Sequence, residues 1–261
     1  MTVPFALTLT SLGLVGAFVA GLLGVGGAIV MVPLLLYVPP LLGLAELDMK
    51  AVAGITMVQV LAAAASGVFA HARMRAVHGE LVWLGGPTMA AGSFVGAVAS
   101  HYVTAHTLLV IFALMATVAI VLLMVRIETA GQAIFAEHVT LARGRAAGVC
   151  LGVGLLAGLV GAGGAFLLVP LLITVVGVPI RVSIGSSLAI TAMSALTGFG
   201  GKLVTGQIPW GPAALVVLGA MPGAQLGALV SRRLSGEGLR RALLAVVTLT
   251  ALRVWWDLLH P

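Results

Sequence analysis

The amino-acid sequence predicts an all-α integral membrane protein of two inverted repeats, each a glycine-broken helical hairpin followed by three transmembrane helices. Three observations lead there. Hydrophobic residues fill 61% of the 261 positions and charged residues only 8%, a balance foreign to water-soluble domains. The apolar runs are about 20 residues long and do not alternate at period two, which favours spanning helices over a membrane barrel. Finally, the stretch Gly21 to Pro33 returns at Gly158 to Pro170 with its glycines, an alanine and the proline at matching offsets.

Taken in order, Phe5 to Leu44 is apolar but interrupted at Gly24, Gly26 and Gly27, with Pro33, Pro39 and Pro40 beyond. Glycine frees the backbone for a sharp break and proline fixes its exit, so the segment is either one kinked crossing or a hairpin. No Lys or Arg precedes this apolar stretch, so it is expected to be structure and not a cleaved leader. Past Glu46, Asp48 and Lys50 a helix is expected over 51–70, carrying Thr56 and Gln59. A basic loop from His71 to Glu80 leads to helices over 81–100 and 107–125. Residues 126–145 are the one extended polar linker, expected in the cytoplasm, which divides a first repeat (1–125) from a second (146–261).

The second repeat follows the same order: a broken segment over 146–178, then helices over 183–202, 211–231 and 239–258. Gly54, Thr56 and Gly67 match Gly185, Ser187 and Gly198 at a constant offset, and Gly92, Gly96 and Ser100 match Gly223, Gly227 and Ser231 at the same one. Duplicated halves with interrupted helices are a recurrent plan of secondary transporters.

The basic residues decide the hairpin question. If each broken segment crosses once, Lys and Arg divide almost evenly between the two sides. If each goes in and returns, Arg73, Arg75, Arg126, Arg143, Arg145, Arg181, Arg232, Arg233, Arg240 and Arg241 fall together, opposite Lys50, Lys202 and Arg253. Only the second arrangement carries the positive-inside bias. It places both termini outside, whether the hairpins are re-entrant or fully spanning. Three further crossings per repeat then invert the second repeat, so that the two glycine tips can meet near the midplane. Trp83, Trp210, Trp255 and Trp256 fall at expected helix ends, where amphipathic rings prefer the interface.

At each tip a short helix is expected to begin, near Gly27 and Gly164. A first helical turn has unpaired N–H groups at the positive end of the dipole, and glycine lets a ligand approach it. Facing tips, formed by Gly24, Gly26, Gly27, Gly161, Gly163 and Gly164, therefore make an anion site without a cationic side chain. Thr56, Gln59, Ser186, Ser187, Thr191 and Ser194 lie within the expected spans and can donate hydrogen bonds to a bound oxyanion. The competing reading is that these groups bond their own or neighbouring helices. A bulky residue at Gly26 or Gly163 is expected to abolish transport in a folded protein. The glycine ladders Gly92, Gly96, Ser100 and Gly219, Gly223, Gly227, Ser231 read as close helix packing.

Other function classes fall away. The formal charge of +6 serves loop anchoring and orientation here, not nucleic-acid binding. Cys150 is the single cysteine, so neither a disulfide nor a thiolate metal site is expected, and no cofactor is implied. Every carboxylate falls in a loop or at a helix end, where a cation pump would need one in mid-membrane. Gly185-Ser-Ser-Leu lacks the final glycine of an intramembrane serine protease, and no enzyme is expected. His71 and Lys202 occupy matching repeat positions at opposite faces, where they anchor the interface or attract anions to the two entrances. An inside-negative potential favours outward movement of an anion by about 2.3 kcal/mol per charge per 100 mV, which suits an exporter without a coupled ion.

The paired Gly-x-x-Gly-x-Gly-Gly-Ala motif with its following proline resembles that of the TauE/SafE sulfite exporter family, over essentially the whole chain. The resemblance implies a bacterial inner-membrane transporter of a small sulfur-containing anion such as sulfite, thiosulfate or an organosulfonate. The partners implied are that anion and the lipid bilayer, with a homo-oligomer possible. Two alternatives stay open: a facilitator or channel for another small anion, and a membrane subunit docking a soluble partner through the 126–145 linker.

Overall fold

A computed structural model describes residues 2–23, 27–71, 77–124, 142–231 and 236–260, with side chains for all of these except 64–71, 180–181, 236–237 and 239–240. Gly24, Gly26 and nearly all of the linker lie outside the described residues, as do Arg73 and Arg75 of the basic loop.

The described residues form helices and no strand. The first repeat holds α1 (Val3–Leu23), α2 (Ala28–Leu41), α3 (Met49–His71), α4 (Gly79–Ala99) and α5 (Ala105–Met124). The second holds α6 (Arg143–Val160), α7 (Ala165–Leu171), α8 (Ile180–Val204), α9 (Trp210–Ser231) and α10 (Gly236–Leu259). α6 begins at Arg143, inside the stretch read as linker. Among the described residues, seven helices are long and apolar enough to cross a membrane, while Ala28–Leu41 and Ala165–Val176 are shorter apolar pieces. Large apolar side chains such as Leu7, Leu114, Leu226 and Leu252 face outward, the surface that a bilayer accepts and water does not.

Both broken segments are hairpins. Gly16 of α1 faces the Met31 side chain of α2 and Gly27 faces Ala20, while Gly164 stands against Ala157 and Val153 of α6. The chain therefore doubles back at each break, and the single kinked crossing is excluded. Pro33 cannot supply the N–H that would bond the Ile29 carbonyl. Thr250 of α10 does so instead, its Oγ1 donating to Ile29 O at 3.0 Å. α7 loosens after Pro170 into a π-type turn, Leu172–Val176, which ends at Gly177.

The repeats interlock. α1 lies along α9 and α6 along α4. Gly219, Gly223 and Gly227 meet the carbonyls of Thr10, Leu14 and Phe18, and Gly92 and Gly96 meet those of Leu151 and Leu155. The glycine ladders are thus helix-packing devices: without a side chain, two backbones come into contact. Residue numbers rise together along both pairs, so each pair is parallel. The same holds for α4 with α8, where Gly86 meets Met193 and Gly201 meets Ala97.

Loops collect at two ends. At one, Lys50 Nζ donates to His101 O at 3.1 Å, and Ser100 lies 2.9 Å from Gln207 Oε1. At the other, Arg143 Nε bonds Glu80 Oε1 at 2.7 Å, and the His78 N–H donates to Ser186 Oγ at 3.0 Å. The hairpin arrangement read from the basic residues groups these loops in the same way. Trp83 and Trp210 sit exposed in the first turns of α4 and α9, and Trp256 in the last turns of α10.

Candidate functional site

The two breaks are built alike. Gly27 caps α2 and Gly164 caps α7 in the left-handed region, with φ of 82° and 78° and no side chain bonded to either first turn. Residues with a Cβ resist this conformation, so glycine at both caps is a conformational requirement. The helices begin at Ala28 and Ala165, where the sequence predicts. Each start is enclosed, since Ala28, Ile29, Ala165 and Phe166 are all fully buried. The Val30 and Leu167 N–H groups turn back to the Gly27 and Gly164 carbonyls at 3.1 Å, and the glycine caps offer no side chain to the N–H groups before them.

Residues 59 and 60 of α3 connect the two tips. A side chain at Gly27 would begin 3.0 Å from Gln59 Nε2, and one at Gly163 would run into Val60 and lie 3.1 Å from Thr191 Cγ2. Gln59, Thr191 and Ser194 are all completely buried, and the Gln59 Oε1 and Nε2, Thr191 Oγ1 and Ser194 Oγ atoms have no hydrogen-bond partner. Gln59 falls midway along α3, and Thr191 and Ser194 near the middle of α8. An orphaned buried polar group costs about 1–3 kcal/mol, so these unpaired atoms carry a cost that the folded chain does not offset within itself. Gln59 Nε2 and the two hydroxyls are neutral donors that can serve an oxyanion, while Gln59 Oε1 can only accept.

The other polar candidates divide differently. Thr56 Oγ1 donates to Val52 O at 2.8 Å and Ser187 Oγ to Ile184 O at 2.9 Å, both within their own helices. Ser186 accepts the His78 N–H where the chain enters α4. These three make the structural bonds that the competing reading describes. Gly161, at φ 74°, meets the Ala53 carbonyl of α3 and seats the second tip on that helix.

Sequence reasoning missed Ser93. Its Oγ is buried without a partner and points at Gly198 of α8. The signal that could have found it is a hydroxyl directly after Gly92, inside the apolar run of α4. Lys202 is a correction to the interfacial role that the sequence suggests. It is completely buried, its Nζ donating to Ser100 Oγ at 2.9 Å and to Gln207 Oε1 at 3.4 Å. The His71 side chain, its repeat counterpart, lies outside those described.

Comparison with known proteins shows what the chain is similar to. Residues 9–254 match the family described as "Sulfite exporter TauE/SafE". The chain is 27% identical over 245 residues to a Bacillus subtilis protein named "Probable membrane transporter protein YunE", covering 87% of this chain and 88% of that one. Two Xylella fastidiosa proteins named "Probable membrane transporter protein", from strains 9a5c and Temecula1, are each 32% identical, with 95% of this chain and 94% of theirs aligned. No solved structure matches.

Proposed function

The chain belongs to the sulfite exporter TauE/SafE family of membrane transporters, and from that premise we propose that it carries a small sulfur-containing oxyanion across a bacterial inner membrane. The anion binds between the two glycine tips. The observation that carries this reading is the buried, unpartnered Gln59 carboxamide beside Gly27 at the uncapped start of α2. Thr191 stands by the second tip with an equally unpaired hydroxyl, and Ser194, also unpaired, follows three residues on along α8.

The chemistry follows from those donors. The first-turn N–H groups of α2 supply the positive end of a helix dipole, and Gln59 Nε2 and the two hydroxyls supply directed hydrogen bonds. Such a site binds a desolvated anion without a fixed cation that would hold it too tightly to release. Sulfite, thiosulfate and organosulfonates present compact oxygen faces that match several donors at once.

Inverted repeats suit this task. The parallel course of α4 and α8 supports inversion, because α8 is the second-repeat counterpart of α3. The end holding Glu80 and Arg143 is assigned to the cytoplasm, since most arginines cluster with those loops. Both termini then lie outside, and the membrane potential drives the anion outward.

The test is thermal stabilisation of purified protein by sulfite, thiosulfate, sulfoacetate, taurine and chloride, followed by flux in proteoliposomes. Selective stabilisation and flux with one sulfur oxyanion are expected. Equal response to chloride would instead favour a general anion facilitator.

A further inference from the structure

A line of buried polar groups leads away from the central site. Along α8, Thr191, Ser194, Gly198 and Lys202 follow at helical spacings of three and four and so share one face. On the facing side, Ser93 and Ala97 of α4 and Ser100 just past its end do the same. A side chain added at Gly198 would begin 2.5 Å from Ser93 Oγ and 2.6 Å from Met57 Cε, so the two faces meet in a close-packed seam where a glycine stands against Ser93. Thr191 Oγ1, Ser194 Oγ and Ser93 Oγ are buried in or beside this seam without partners.

The seam ends in a cation. Lys202 is fully buried, and its hydrogen bonds go to two neutral oxygens, on Ser100 and Gln207. No carboxylate pairs with it among the described residues. Neutral acceptors do not offset the burial of a charge, so an ammonium in this place lacks a counter-ion. Beyond it opens a cleft of about 430 Å³ lined by Lys50, His101, Thr205, Gln207 and Ile208. Gln207 thus stands between the cleft and Lys202, with its Nε2 tied to Thr205 Oγ1 at 2.6 Å and Ala97 O at 3.2 Å.

We propose that the seam between α4 and α8 is the path of a small oxyanion between this cleft and the interior, and that Lys202 is the cation that selects for negative charge along it. Lys50 raises the local anion concentration at the mouth. Passage requires Gln207 to turn aside, exposing Lys202 to the cleft. Ser93, Ser194 and Thr191 then offer successive hydroxyl donors to an anion that has shed its water. The inference rests on the central-site reading only for where the path ends.

Cysteine accessibility tests it without knowledge of the transported substrate. The full-length protein, with Cys150→Ala, carries Ser194→Cys or Ser93→Cys and is reconstituted into vesicles. Two thiol reagents of similar size are added from the Lys50 side: 2-sulfonatoethyl methanethiosulfonate, an anion, and its 2-trimethylammonioethyl analogue, a cation. The anionic reagent is expected to label faster by about tenfold, the lower range of electrostatic focusing in a low-dielectric cleft. Lys202→Gln should abolish the preference and Lys202→Arg keep it. No labelling at either position, or equal rates with Lys202 in place, overturns the proposal. The wild-type Lys202 ratio is read without touching that residue, so a misfolded Lys202→Gln protein does not obscure the answer. Anion-selective labelling alongside normal flux in Gln59→Leu keeps the path and overturns the central site.

Discussion

Gln59 Nε2 lies 3.0 Å from the point where a side chain on Gly27 would begin, and neither polar atom of the Gln59 amide has a partner. The relationship couples the middle of α3 to the start of α2, where the glycine cap offers no side chain to the first N–H groups. A fold selected only for stability would fill this place with an apolar side chain.

Gln59→Leu separates the two demands. Removing a buried, unpaired amide should leave stability unchanged or raise it by about 1–3 kcal/mol, since the orphan's desolvation cost disappears. Sulfite or thiosulfate flux should fall by about tenfold, the equivalent of one charge-assisted hydrogen bond of roughly 1.5 kcal/mol. Melting in detergent and flux in proteoliposomes check the two halves. Lower stability with normal flux would make Gln59 a structural residue.

Gly163 calls for a gentler change than the bulky one that the sequence suggests. At φ 62° its backbone sits in the left-handed region, and a methyl group there would run into Val60 and crowd Thr191. A large residue would disturb folding and site together. Gly163→Ala should cost about 1–2 kcal/mol from backbone conformation alone, with the Val60 collision added to it. Gly163→Ala with Val60→Ala should recover the collision part and leave the backbone part. Thermal melts of the two single variants and the double variant measure that coupling.

The overall plan was legible because a bilayer restricts the choices. Long apolar runs must be helices, and the Lys and Arg distribution made sense only if Gly27 and Gly164 were turning points. Matching spacings in the two halves identified which glycines pack and which break the chain. Individual polar side chains were less legible. Thr56, Gln59 and Ser187 look equivalent as polar residues in apolar runs, yet two bond their own helix and one is left unpaired, a difference fixed by side-chain length and tertiary neighbours. Lys202 near a helix end reads as a snorkelling anchor. Its burial depends on Ser100 arriving from an element distant in sequence and on Gln207 folding back from the turn after α8.

Thr250 was invisible for a related reason, since its partner is a carbonyl that Pro33 leaves free in another helix. Its Oγ1 donates to Ile29 O at 3.0 Å inside the core. Thr250→Val keeps the shape and removes the donor, leaving the Ile29 carbonyl buried and unpaired. A loss of about 1–3 kcal/mol is expected. Thr250→Ser retains the hydroxyl and should stay closer to the parent melting temperature. If Val and Ser variants melt alike, the hydrogen bond contributes nothing and α2 tolerates the orphaned carbonyl.

The glycine ladders make the strongest structural prediction, because there a side chain would meet backbone and not a movable group. At Gly219 an added methyl would collide with the Thr10 carbonyl, and at Gly227 with that of Phe18. Gly148 and Gly152 of α6 have open space around them. Gly219→Ala and Gly227→Ala should each destabilise by about 1–3 kcal/mol through forced separation of α1 and α9. Gly148→Ala should be neutral or stabilising by up to about 1 kcal/mol, because alanine is the better helix former. Melting temperatures of the three variants, measured in one detergent, test the contrast. Equal effects at all three would mean that helix propensity, and not backbone contact, governs these positions, and that α1 and α9 are not held together by their close approach.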